Sequence, residues 1–232
     1  SEIVLKLIEK GKPTGLPRAM LNLPVFRKEI LVYSVKFLGN LVVYKNQKYL
    51  WVRLAPKDTA FLIHLATAKH RHLALDRIYN NFWPGSKNPA RNLAHLLVRI
   101  RKALCLPSHL LYVKYNSLCF DFHFITDYDE YQEHLVQAKA FSVAGEWTFA
   151  RTEYMHGFSL FREAPFKKMY DDWSEDMRIG ILGNLENEAT KFAEACVAHG
   201  DREKGIETLQ KISKIIPYSD EIKNLIDNLT TN

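Results

Sequence analysis

The chain holds 232 residues, 47% of them hydrophobic and 25% charged, with a net charge of +6 at pH 7. That balance excludes collagen-like, low-complexity and disordered chains, and the length suits one or two domains. No apolar run approaches the ~18 residues of a membrane span, no signal-peptide pattern opens the sequence, and Cys105, Cys119 and Cys196 lack CxxC spacing. The expected setting is therefore cytoplasmic, without a membrane, a disulfide framework or a metal.

Residues 2–10 read as one short helix, and Gly and Pro then punctuate the chain too often for regular structure, so 1–26 is a lead-in or linker. Ser1 in place of methionine fits either a piece of a longer chain or a tag remnant. Gly11-Lys12 lacks the GxxxxGK[ST] spacing of a phosphate loop. Residues 29–38 and 41–44 are β-branched and aromatic on either side of Gly39-Asn40. Asn46-Gln47 marks a second turn, and 49–54 adds a third strand to a small antiparallel meander. Three helices follow. The first, 57–69, starts behind Pro56; the second carries Leu75, Ile78, Tyr79 and Phe82 and is stopped by Trp83-Pro84-Gly85. The third, 89–104, opens at Pro89 with Ser86 and Asn88 as candidate caps. Residues 111–122 alternate across a hairpin turning at Asn116-Ser117. From Asp127 onward the pattern is helical, over 127–144, 147–161, 169–198, 202–215 and 220–229. Gly145-Glu146, Gly200-Asp201 and Pro217 break it into stacked helical hairpins.

Charge divides along the same line. Residues 1–125 hold 20 Lys/Arg against 6 Asp/Glu, or +14, and residues 126–232 hold 12 against 20, or −8. A strongly basic half fits a polyanion, because each cation set against a phosphate releases counterions; membranes and acidic proteins are the other partners such a surface suits.

Strands, three helices and a terminal hairpin describe a winged helix-turn-helix, whose third helix enters the major groove. At about 100° per residue, Leu93, Leu97, Ile100 and Leu104 fall within about 60° of arc. Arg91, His95, Arg99 and Lys102 fall within about 80° on the opposite side, with no acidic residue among them. An arginine at the groove floor bonds guanine O6 and N7 together, so Arg91, His95 and Arg99 are candidate base readers, with Asn92 at the edge of their face. Arg101 on the flank and Lys102 suit phosphates, and Lys114, the hairpin's one cation, suits a phosphate or the minor groove. The competing reading is a solvated cationic face. Val98, beside Arg91, and Leu96, at the side, suit thymine methyls or a protein partner equally.

LDRIYNNFWPGSKNPARNLAHLLVRIRKAL (75–104) resembles the OmpR-type winged helix of the SARP (Streptomyces antibiotic regulatory protein) regulators. There a D-R-L-I-x-x-L-W segment precedes A-R-N-x-L-x-x-x-L-x-R-L-R-x-A-L. DYDEYQEHLVQAKAFSVAGEW, YDDWSEDMR and AHGDREKGIETLQKISKIIP, all within 126–217, resemble the bacterial transcriptional activator domain usually fused behind it, a helical array of the tetratricopeptide type. The resemblance implies a mainly α fold with small β-sheets: a winged helix over 27–125, then a helical domain over 126–232. It implies a transcriptional activator that docks as a homodimer on repeats in double-stranded DNA, recruits RNA polymerase and needs no cofactor. By motif position it makes His95 and Arg99 base readers, Arg91, Asn92 and Arg101 further DNA contacts, and Lys114 the wing cation. The family's wing often reads R-G-x-G-Y-R-F; here Lys114-Tyr115-Asn116-Ser117-Leu118-Cys119-Phe120 lacks both glycines and the second arginine.

No GxSxG or HExxH is present, and no enzyme is expected. Asp171, Asp172, Glu175 and Asp176 read as a solvated helix face in preference to a metal cluster, and His64 as a satisfied core histidine. His70 and His72 are turn residues or, by the resemblance, part of a polymerase-facing surface. Trp147, Phe149, Tyr154 and Phe158 read as core aromatics, with a peptide groove as their other use. The expected function is a sequence-specific DNA-binding regulator; the alternative is a protein-interaction module whose winged helix no longer reads DNA.

Overall fold

The structure, a computed structural model, describes residues 31–68 and 70–231. The helix expected over 2–10 and the lead-in lie outside them. β1 (Val32–Lys36) alternates strictly, with Tyr33 and Val35 buried and their neighbours half-buried. It pairs antiparallel with β2 (Val42–Lys45), and β2 with β3 (Lys48–Leu50). Asn46 and Gln47 take φ of 47° and 68°, the mirror-image turn that follows the strands' own twist. The edge beyond β1 is filled by β7 (His123–Thr126), which runs parallel to it.

Between these strands lie α1 (Pro56–Ala66), β4 (His72–Ala74), α2 (Leu75–Phe82), α3 (Pro89–Ala103) and the wing, β5 (Leu111–Lys114) and β6 (Ser117–Phe120). β4 joins the wing in the order β4-β6-β5, so His72 stands in a strand, where a turn was one of the two readings. The wing turns at Tyr115-Asn116, with φ of 47° and 55°, one residue earlier than the sequence suggests. Neither β4 nor β7 is legible in the sequence: each is three or four residues long and lacks a full alternation.

The helical array follows as α4 (Asp127–Val143), α5 (Trp147–Ser159), α6 (Asp172–Ala198), α7 (Arg202–Ser213) and α8 (Asp220–Thr231). Thr126 and Asp129 cap α4 reciprocally. Gly145 and Gly200, at φ of 78° and 79°, occupy the left-handed position after α4 and α6. There the N–H groups of Glu146 and Asp201 close back on the carbonyls of Phe141 and Cys196, at 2.9 and 2.7 Å. Across the two hairpins Trp147 donates to Asp201 at 2.9 Å and stacks on His199. Phe149, expected in the core, is instead 58% exposed, its ring tilted against that of Phe141 at 5.4 Å.

Two features fasten the array to the winged helix. Asp127, the first residue of α4, accepts the N–H of Phe37 at 2.9 Å and of Leu38 at 2.9 Å, both just past β1. Burial raises its carboxyl above the ordinary carboxylate range, and those N–H bonds oppose the rise. Trp173, at the start of α6, packs edge-on against His64 of α1 at 5.0 Å and beside Phe82 of α2 at 5.7 Å. His64 is 9% exposed, its Nε2 has no partner, and burial, with Arg77 adding, pushes the imidazole down to about 4. It is a core residue, as the sequence suggests, but not the satisfied one expected, because the aromatic rings of Phe61, Phe82 and Trp173 pack against it and its Nε2 meets no hydrogen-bond partner among them.

Asp127→Ala strands two buried N–H groups and is expected to lower the unfolding free energy by about 2–4 kcal/mol in urea melts. His64 sets an acid limit. Its folded pKa lies below its unfolded value, so the unfolded state binds the extra proton and stability is lost as pH falls from about 6.5 towards 4. Urea melts at pH 7 and pH 4.5 should show a smaller loss for His64→Leu than for the natural chain.

Candidate nucleic-acid interface

α3 buries Leu93, Leu97 and Ile100, as its apolar arc requires, and its C-cap residue Leu104 beyond them. Leu96 is also fully buried, at 0% exposed, which withdraws it from any groove or partner. A helix lodged between two neighbours needs an apolar stripe wider than four residues supply, and Leu96 widens it. Val98 keeps its place beside Arg91, 60% exposed.

Arg91, His95, Arg99 and Lys102 all reach the surface, and the helical array covers none of them. Arg91 Nε lies 3.5 Å from His95 Nε2, so the two share one patch. Arg99 is engaged from below. Its Nε and Nη2 sit 2.6 and 2.7 Å from the two carboxylate oxygens of Asp58, in the first turn of α1. Asp58 is 3% exposed at its side chain and Arg99 52%. The bidentate fork occupies two of the five guanidinium N–H donors, and the others remain available to a ligand at the exposed end. Asp58 also raises the pKa of Arg99, mainly through this hydrogen bond.

The remaining candidates brace the helix as well as flank it. Arg101 donates through Nε to the Leu111 carbonyl at 3.0 Å, tying α3 to the first wing strand. Asn92 donates to Ser86 Oγ at 3.1 Å, while Asn88, expected as a cap, makes no side-chain cap bond. Lys102 is exposed. Lys114 reaches the wing tip with its ammonium 4.8 Å from the Tyr115 ring. At the far end Tyr33 donates to the Leu104 carbonyl at 2.8 Å and Lys45 to that of Cys105 at 2.9 Å. Cys105 takes φ of 50°, and the Leu106 N–H closes on Arg101 O at 2.8 Å, ending α3 with a Schellman turn in which a cysteine stands where glycine is usual.

Sequence reasoning missed Asp58, whose only local signal is its place in a first helical turn, and it missed the bracing by Arg101. The acidic cluster resolves into helix-start chemistry. Asp171 accepts from Ser174 N at 3.1 Å and Glu175 pairs with Arg178 at 3.4 Å. His70 and His72 stack at 5.7 Å, and Arg71 between them bonds His123 of β7. Among the described residues no helix is long and apolar enough to cross a membrane.

No family model and no curated protein matches the chain. Among solved structures it is similar to EmbR of Mycobacterium tuberculosis, described in complex with a low affinity phosphopeptide, at 15% identity and a TM-score of 0.68. The likeness covers 86% of this chain and 54% of EmbR, so the chain spans about half the length of that protein. At this identity the likeness is one of fold, and its extent takes in both the winged helix and the helical array. The chain is thus mainly α with small sheets, a winged helix followed by helical hairpins.

Arg99→Ala leaves a buried carboxylate without its partner and is expected to cost about 1–3 kcal/mol of stability. Lys102→Ala, on the same face and without such a partner, should stay within about 0.5 kcal/mol in the same urea melts. Equal losses for the two would deny the Asp58 fork a structural role.

Proposed function

We propose that the chain is a sequence-specific DNA-binding transcriptional regulator of the SARP type, which lays α3 in the major groove and uses its helical array for protein contacts. The observation that supports it is the face of Arg91, His95, Arg99 and Lys102, to which α3 itself contributes no acidic residue, held at the surface of a winged helix and left open by the array. Arg91, Asn92, His95 and Arg99 read base edges; Arg101, Lys102 and Lys114 meet phosphates or the minor groove. With two donors held by Asp58, Arg99 approaches the groove already oriented, so little side-chain freedom is lost on binding. Residues 27–125 form the DNA-facing domain and 126–232 a tetratricopeptide-like one. The −8 of the second part repels phosphate and keeps the array off the duplex. Docking as a homodimer on repeats and recruitment of RNA polymerase belong to the same reading.

A protein-interaction module is the second reading. It is favoured by Val98, exposed beside Arg91 at the edge of the cationic face, and by Val113 and Tyr115, exposed on a wing that lacks glycine.

Enrichment from random duplexes, followed by anisotropy titration at several salt concentrations, tests both. Arg91→Ala should cost about 1–3 kcal/mol on the enriched site and relax one base position. Lys102→Ala should weaken binding to all duplexes alike and reduce the salt slope by about 1. Failure to enrich any sequence, at either low or moderate salt, would favour the interaction module.

A further inference from the structure

The α4–α5 hairpin carries a group of side chains for which DNA recognition has no use. His134 stands on α4, and Glu153 and His156 stand one turn apart on α5. His134 Nδ1 lies 2.6 Å from a Glu153 carboxylate oxygen, and the His134 and His156 rings meet edge to face at 5.6 Å. One nitrogen or oxygen from each of the three lies within 4.8 Å of the others; no second such trio of His, Cys, Asp or Glu occurs among the described residues.

The backbone builds this proximity. A Cβ on Gly157 would stand 3.3 Å from His134 Cβ and 3.3 Å from the Tyr131 ring, so α5 lies against α4 at the level of His134. Glu153 and His156, at i and i+3, then project along one side of that seam. His134 and Glu153 keep 22% and 20% of their side-chain surface exposed, while His156 is exposed. The site is therefore open to solvent at one ligand and sheltered at two.

We propose that His134, Glu153 and His156 bind a divalent ion of the zinc class, which clamps α4 to α5. Two imidazoles and one carboxylate suit Zn²⁺, Co²⁺ or Ni²⁺; Mg²⁺ and Ca²⁺ prefer oxygen sets. Three ligands at about 2.0–2.2 Å from a tetrahedral ion stand roughly 3.4 Å apart. The His134–Glu153 pair is already inside that separation. No gap among the three exceeds 4.8 Å, and rotation of the exposed His156 side chain brings its nitrogen to the ion. The fourth position is left to water. The ligands come from two helices and only Glu153-x-x-His156 is contiguous, so no metal-ligand motif is visible along the chain.

The test uses the tag-free full chain, stripped with chelator and titrated with Zn²⁺ against a chromophoric competitor. One equivalent should bind and raise the melting temperature. His156→Ala and Glu153→Gln should each weaken binding by at least about ten-fold. His72→Ala, which removes one member of the stacked His70–His72 pair on the winged helix, should leave it unchanged. Because His156 is exposed, its alanine variant should melt like the natural chain when metal-free and should lose the Zn²⁺-induced rise. Absence of a bound equivalent, or binding that survives His156→Ala or follows His72→Ala, overturns the proposal.

Discussion

The arrangement of this protein depends on how the end of β1 is satisfied. Two N–H groups, of Phe37 and Leu38, turn inward where the strand stops, in a place no solvent reaches. Asp127 meets both, and because it is also the first residue of α4, the same carboxylate that relieves the strand fixes where the helical array begins. Arg162 completes the junction by donating its N–H to the Leu38 carbonyl at 3.0 Å, over Gly39, whose bare Cα lets the chain pass. Phe37 and Trp173 both pack on Phe166, at 5.7 Å each, so an aromatic seam continues from the sheet into α6. The array is thus held by the sheet, α1 and α2, and α3 is left uncovered.

That uncovered helix is held in place by polar ties. Arg99 is forked onto Asp58 from α1, Arg101 reaches the wing, and Tyr33 and Lys45 take up carbonyls at its C-terminal end. Two of these ties use side chains that a helical wheel assigns to a DNA face or its flank. There is no contradiction in this: a guanidinium has more donors than one carboxylate or one carbonyl can accept, and a braced arginine meets a ligand with less conformational freedom to lose. It does mean that the cationic face is more strongly ordered at Arg99 than at Arg91 or Lys102. Deleting Arg99 disturbs the scaffold as well as the surface.

The distribution of charge follows the same plan. The basic surplus lies in the part that contains α3, while the array pairs its own charges internally. Within the array the His134, Glu153 and His156 group stands on the α4–α5 hairpin, so what it binds acts first on the packing of α4 against α5.

The sequence by itself determined the order and type of the helices, the cationic and apolar arcs of the third helix, the glycine stops after α4 and α6, and the division of charge. These are properties of local spacing and of side-chain counts, and they need no knowledge of what lies opposite. Only the tertiary structure decided the rest. β4 and β7 are too short to carry a period and exist because a neighbouring strand offers its edge. Leu96 is buried and Phe149 exposed because a helix wheel does not show how many neighbours a helix has. Asp58 becomes the partner of Arg99, Asp127 the clasp of β1, and His134 the neighbour of His156 only once distant segments meet, since an ion pair or a ligand set is a relation between positions that the chain's linear order leaves unspecified.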